Sequence, residues 1–136
     1  MKINPYLMFN GDCDAALKFY EQTLGAKIES KVTFAGSPAE KHVPAGWGDK
    51  VLHARLMVGD TVVMASDSPP EQYEKPGGFS ISISISDKEK GERVFNALAE
   101  NGATIMPFQQ TFWAGGFGMC VDRFGTPWMV NCEQPR

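Results

Sequence analysis

Histidine is scarce in this chain: its 136 residues include two, His42 and His53. A His/His/carboxylate metal site would have to use both. The three cysteines, Cys13, Cys120 and Cys132, are odd in number and lack CxxC spacing, so neither a disulfide framework nor a zinc knuckle is indicated. Basic residues are not in excess: 13 Lys and Arg face 16 Asp and Glu, a net charge of −3. That balance argues against a phosphate-neutralising surface and against nucleic acid as the main partner. GxGxxG, P-loop and HExxH motifs are all missing. The run Phe79 to Ser86 alternates Ile with Ser and falls far short of the ~18 apolar residues a membrane span needs. The N-terminus has a single Lys, then Pro5 and an early Gly-Asp, without a signal-peptide layout. The expectation is a reduced, cytoplasmic protein with no membrane or nucleic-acid partner.

What is present is ordinary for a globular fold, with 43% hydrophobic and 21% charged residues. The length suits one domain, or two small halves. Laid against itself, the chain reads twice. Pro5 to Phe9 reads as a strand. An amphipathic helix follows, capped by Asp12 or Asp14, with Ala16, Phe19, Tyr20 and Leu24 as its apolar stripe and Gly25 as its stop. Ala26 to Phe34, Val51 to Val58 and Thr61 to Ala65 read as strands, the last two joined by a Gly59-Asp60 turn of type II′. The second half repeats this order: strand Phe79 to Ser86, cap Asp87, a helix carrying Val94, Phe95, Leu98 and Ala99, and a stop at Gly102. GATI (102–105) echoes GAKI (25–28), and Thr126-Pro-Trp-Met129 echoes Thr61-Val-Val-Met64. The shared order favours duplication. The expected organisation is one domain made of a βαβββ module at 1–66, a Pro/Gly-rich linker at 67–78 and a second module at 79–136.

Two βαβββ units in one chain resemble the vicinal oxygen chelate superfamily, which holds glyoxalase I, extradiol dioxygenases and the bleomycin and fosfomycin resistance proteins. The opening PYLMFNGDCDAALKFYEQTLGAKI, the stretch HARLMVGDTVVMASD and DRFGTPWMVN are similar to its PhnB-like branch. FYxxxLG and DxFGxxW are specific for the superfamily but say little about substrate. The resemblance implies an α+β fold whose mixed sheets curl into a cup around a ligand, commonly in a homodimer.

Strand periodicity assigns faces without reference to the family. Ile81, Ile83 and Ile85 point one way and Ser80, Ser82 and Ser84 the other. The two-residue turn pairs Val58 with Thr61, so Met57 faces Val62, Arg55 faces Met64 and His53 faces Ser66. Ala54, Leu56, Val58, Val63 and Ala65 form a helix-packing face, leaving His53, Arg55, Met57 and Met64 on the opposite one. A charge there needs a partner, either an internal carboxylate such as Asp67 or Asp122, water, or an anionic ligand.

Superfamily enzymes usually hold one divalent metal through four positions, which the resemblance aligns with Pro5, Met64, Ser80 and Met129. None is a His or a carboxylate, and two are thioethers. A slip bringing His53 or Glu133 nearer would not assemble three ligands, and His42 falls in a solvated loop. The expectation is no usual metal site and no cofactor. Cys120 and Cys132 have no neighbouring base in sequence and read as packing. No catalytic residue is assigned.

What remains is a pocket. Its expected lining is Leu7, Phe9, His53, Arg55, Met57, Met64, Ser80, Ser82, Ser84 and Met129, with Trp47 and Trp113 either closing over it as lids or anchoring their own loops. The leading reading is a small-molecule binding protein of the resistance type, in which Arg55 either engages an anionic ligand or forms an internal salt bridge. The alternative is an enzyme, either a metal-dependent lyase or dioxygenase with displaced ligands or a metal-free isomerase using His53.

Overall fold

The computed structural model describes residues 1–133. The chain divides into two compact units, Met1–Glu74 and a second starting at Lys75. Each carries one helix and one four-stranded mixed sheet.

The first unit runs β1 (Tyr6–Phe9), α1 (Cys13–Leu24), β2 (Lys27–Thr33), β3 (Val51–Val58) and β4 (Thr61–Asp67), with a short 3₁₀ turn at Glu40–His42. The sheet order is β1-β4-β3-β2, with β1 parallel to β4 and the other pairs antiparallel. The β3–β4 hairpin has the register expected from its turn: Val58 pairs with Thr61, Met57 with Val62 and Arg55 with Met64. Gly59 has φ 60 while Asp60 stays out of the left-handed region, which excludes a type I′ turn and agrees with type II′. Ala54, Leu56, Val63 and Ala65 are buried on the face that packs beneath α1.

Leu7 and Phe9 are buried on that same face, paired with Ala65 and Asp67, so their expected place in a ligand cup is wrong. Tyr6 and Met8, 40% and 55% exposed, take the opposite face instead. The N-terminal cap also differs from expectation. Asp12 is the cap residue but makes no side-chain cap bond. The N–H of Cys13 instead donates to Asp67 Oδ1 at 2.9 Å, and Asp67 Oδ2 accepts from the N–H of Val51 at 2.9 Å. One buried carboxylate thus ties the start of α1 to the start of β3, near the favourable end of the helix dipole. Gly25, at φ 67, closes α1 as expected.

The second unit runs β5 (Ile81–Ser84), α2 (Lys88–Ala99), β6 (Ala103–Gln109), β7 (Ala114–Val121) and β8 (Pro127–Glu133), in the order β5-β8-β7-β6. It repeats the first sheet strand for strand, including a parallel first pair and register shifts on the strand that follows the helix. Asp87 caps α2 by accepting from the N–H groups of Glu89 and Lys90. β5 is shorter than the alternation suggested, covering four residues. The helix stops at Ala99, not at Gly102: Asn101 takes the positive φ. Gly102 is required for closeness, since a Cβ there would lie 2.2 Å from the carbonyl oxygen of Val121.

The DxFGxxW stretch is a structural knot. Asp122 Oδ1 accepts from the N–H groups of Phe124 and Thr126, and Oδ2 accepts from Trp128 Nε1 at 2.8 Å. Asp122 is 3% exposed. This explains why the motif marks the fold and is silent on substrate.

Candidate functional site

The face of each sheet turned away from its helix carries the side chains of interest. In the first unit, one row across the strands reads Tyr6, Met64, Arg55, Ser30. A register shift between Ile28 and Ser30 leaves Glu29 as the extra residue beside Arg55. Arg55 Nε donates to Glu29 Oε2 at 3.0 Å, with the two side chains 46% and 42% exposed. Among the described residues Asp67, whose carboxylate is taken by the bonds described above, is not its partner. The bond uses Nε alone. The two terminal amino groups of the guanidinium have no protein partner among the described residues and lie open on a partly apolar surface beside Met64.

His53 is half-buried, and its Nδ1 shares a 3.4 Å hydrogen bond with the Tyr6 hydroxyl, the two rings standing 5.8 Å apart. Tyr6 is a contact the sequence reading missed. The all-apolar run Tyr6-Leu-Met-Phe9 carries no polarity contrast to fix which side chains face outward.

A recess of about 270 Å³ adjoins this face at the end of β4. His42, Ser66, Ser68 and Gln72 supply its neutral polar groups, Asp67 its one carboxylate, and Phe34, Leu52 and Val43 much of its apolar wall. Among the described residues the side chains of His42, Ser66, Ser68 and Gln72 have no hydrogen-bond partner, although the backbone N–H groups of His42, Ser68 and Gln72 do. His42 is exposed, as expected for its loop, yet it borders this recess. Trp47 is half-buried and meets Phe34 edge-on at 6.3 Å, so it anchors its own loop.

In the second unit the corresponding row reads Ser82, Met129, Met119, Met106, a thioether surface with no charge. Ser82 and Ser84 are exposed and alternate with half-buried Ile81 and Ile83, while Ser80 precedes the strand and is half-buried. Trp113 is 49% exposed and packs edge-on against Phe112 at 4.8 Å and Phe117 at 5.4 Å. Phe117 pairs with Asn131 on the same face as Met119.

The residues expected at the family's metal positions do not suit a hard divalent ion. Pro5 offers no side-chain donor, Ser80 a neutral hydroxyl, and Met64 and Met129 soft thioethers. Among the described residues no group of three or more His, Cys, Asp or Glu side chains is placed to hold a metal ion.

Nor do the cysteines resemble nucleophiles. All three are buried and unpaired. Burial, reinforced by Asp122, pushes the Cys120 thiol up to about 11. Cys13 is raised further by burial and by Asp67, and Cys132 is raised by burial and by Asp87. A thiol that holds its proton this firmly is a packing group at neutral pH.

Sequence and structure comparisons agree on one kinship. The profile of the Glyoxalase/Bleomycin resistance protein/Dioxygenase superfamily matches residues 2–130. Protein YjdN of Escherichia coli (strain K12) is 36% identical, the match covering 99% of each chain. The crystal structure of protein PA1353 from Pseudomonas aeruginosa superposes with a TM-score of 0.89 at 51% identity, over 99% of each chain. A Bacillus cereus structure described as a putative 3-demethylubiquinone-9 3-methyltransferase, PhnB protein, gives a TM-score of 0.83 at 25% identity, over 97% of this chain and 99% of that one.

Proposed function

Because this chain belongs to the glyoxalase/bleomycin resistance protein/dioxygenase superfamily, we propose that it binds a small organic anion and does so without the divalent metal site of the superfamily's enzymes. The observation that carries this reading is Arg55. Its guanidinium spends one N–H on Glu29 and, among the described residues, leaves both terminal amino groups without a protein partner on the open face of the first sheet. Two parallel N–H donors suit the two oxygens of a carboxylate or phosphonate. Met64 and Met57 beside it offer adaptable apolar contact for the rest of the molecule. His53 and Tyr6 stand on the same face, and the recess bounded by Ser66 continues it. The open face of the second sheet, with Ser80, Ser82, Ser84, Met129 and Trp113, is proposed as a further ligand-contact surface, and Trp47 as a support of the first. No step of catalysis is assigned to any of these side chains.

The same reading includes a homodimer, in keeping with a family whose members commonly pair. It also includes a reducing, cytoplasmic setting, which suits three buried, unpaired thiols. No helix among the described residues is long and apolar enough to cross a membrane.

The test is a binding titration of a small carboxylate such as butanoate against the natural chain and Arg55→Met. The substitution keeps the stem and removes the charge, so the fold is retained while affinity falls by about 1.5–3 kcal/mol, the worth of hydrogen bonds to a charged group. Equal affinity in the two proteins overturns the proposal.

A further inference from the structure

The recess beside Arg55 has a polarity that the anion reading leaves unused. Among the described residues no Lys or Arg lines it. Asp67, 4% exposed, contributes a carboxylate whose two oxygens each accept a neutral backbone N–H, and no cationic side chain bonds to it among the described residues. Around it, the hydroxyls of Ser66 and Ser68 and the side-chain amide of Gln72 are acceptors without a protein partner among the described residues. A recess with this lining attracts an N–H-rich cation and disfavours a second anion.

Its position relative to Arg55 follows from the register. Arg55 is paired with Met64, and Ser66 lies two residues further along β4 on the same face. That places the recess about 7 Å from the arginine row at roughly 3.3 Å per strand residue. Both features belong to the first unit.

Resting on the anion reading above, we infer that the ligand is a zwitterion. Its anionic group meets Arg55, and an ammonium group a few carbons away enters the recess formed by Asp67, Ser66, Ser68 and Gln72. The recess volume, about 270 Å³, has room for an ammonium head and its short stem. Opposite charges placed at the two ends would orient the molecule along β4, and neither end alone would do so.

The experiment compares three probes on the full chain: 4-aminobutanoate, butanoate and butylammonium, with ω-amino acids of three to six carbons to find the span. The expected result is that the best-fitting amino acid binds about tenfold or more tightly than either single-charge probe, because the second contact becomes intramolecular. In Ser68→Ala/Gln72→Leu, two substitutions just beyond the end of β4, that gain should shrink severalfold while butanoate binds as before. If butanoate binds in an Arg55-dependent way and no amino acid of any length binds more tightly, the zwitterion inference is overturned and the anion reading stands. If the gain survives Ser68→Ala/Gln72→Leu undiminished, the ammonium lies elsewhere and the inference is likewise overturned. If no probe binds in an Arg55-dependent way, the anion reading falls and the inference falls with it.

Discussion

Glu29 reaches Arg55 because β2 carries one more residue than β3 at that point: Oε2 lies 3.0 Å from Nε, and Ser30 rather than Glu29 is the paired residue. The pair is half exposed and so contributes little to stability. Its effect is on orientation, since it fixes the guanidinium at Nε and leaves the terminal amino groups without a protein bond among the described residues. Glu29→Gln should therefore leave unfolding within about 0.5 kcal/mol of the natural chain. It should strengthen binding of butanoate modestly, by removing a competing negative charge beside the site. Titration at low and high salt separates this from a structural effect: the gain should shrink as salt screens it.

Asp67 is the stronger structural element. Asp67→Asn keeps the shape but replaces one acceptor oxygen with an N–H donor aimed at a backbone N–H, either that of Cys13 or that of Val51. A buried donor left unmatched costs about 1–3 kcal/mol, and urea denaturation should show a loss in that range. Asp14→Asn, which removes exposed pairings with Lys18 and Lys31, should cost far less. A loss at Asp14 equal to that at Asp67 would contradict this ranking.

The thiols give the pH dependence a definite sign. Burial raises Cys13, Cys120 and Cys132, and Cys120 reaches about 11. Unfolded thiols release their protons near pH 8.5. Between these values the folded chain binds more protons than the unfolded one, so stability is fully present below about pH 8.5 and falls as pH rises. Tyr73, raised by burial and by Asp12, acts in the same direction at higher pH. Urea midpoints at pH 7.5 and 9.5 should decrease in that order. A thiol reagent at pH 8 should label almost nothing until urea is added, after which all three cysteines react.

On assembly, light scattering at micromolar concentration should give twice the 14.9 kDa monomer mass. A species of monomer mass alone contradicts the homodimer.

The parts of this fold that the sequence made legible were those with a local rule behind them. Gly59-Asp60 allows one register, and from it the faces of β3 and β4 follow residue by residue. Asp87 caps the helix it immediately precedes. The misreadings came where the deciding partner is distant. Leu7 and Phe9 were given the wrong face because four apolar residues in succession leave the phase of the alternation open, and only pairing with β4 sets it. The cap of α1 comes from Asp67, 54 residues beyond Cys13. Glu29 was missed as the partner of Arg55 because a bulge changes the count across strands and has no reliable signature in a run such as KIESKVT. The recess was missed for a similar reason: His42, Ser66 and Gln72 come from separate segments and meet only in the folded unit.

The strand order of the first sheet bears on how the chain folds as it is made. β1 is an edge strand whose ladder partner is β4, so it has no neighbour until the chain has been synthesised through Asp67, whose carboxylate also fixes the start of α1. Up to that point the emerging polypeptide holds an apolar strand without its ladder partner and a helix without part of the sheet it packs on, a stage exposed to chaperones and to aggregation. Once Asp67 has left the ribosome, every strand of that sheet is available, and nothing in its order waits for the second half. Arrival of this single aspartate thus sets the earliest moment at which the nascent first unit can complete its sheet, and a ribosome pause shortly after it would favour folding of that unit before the second half emerges.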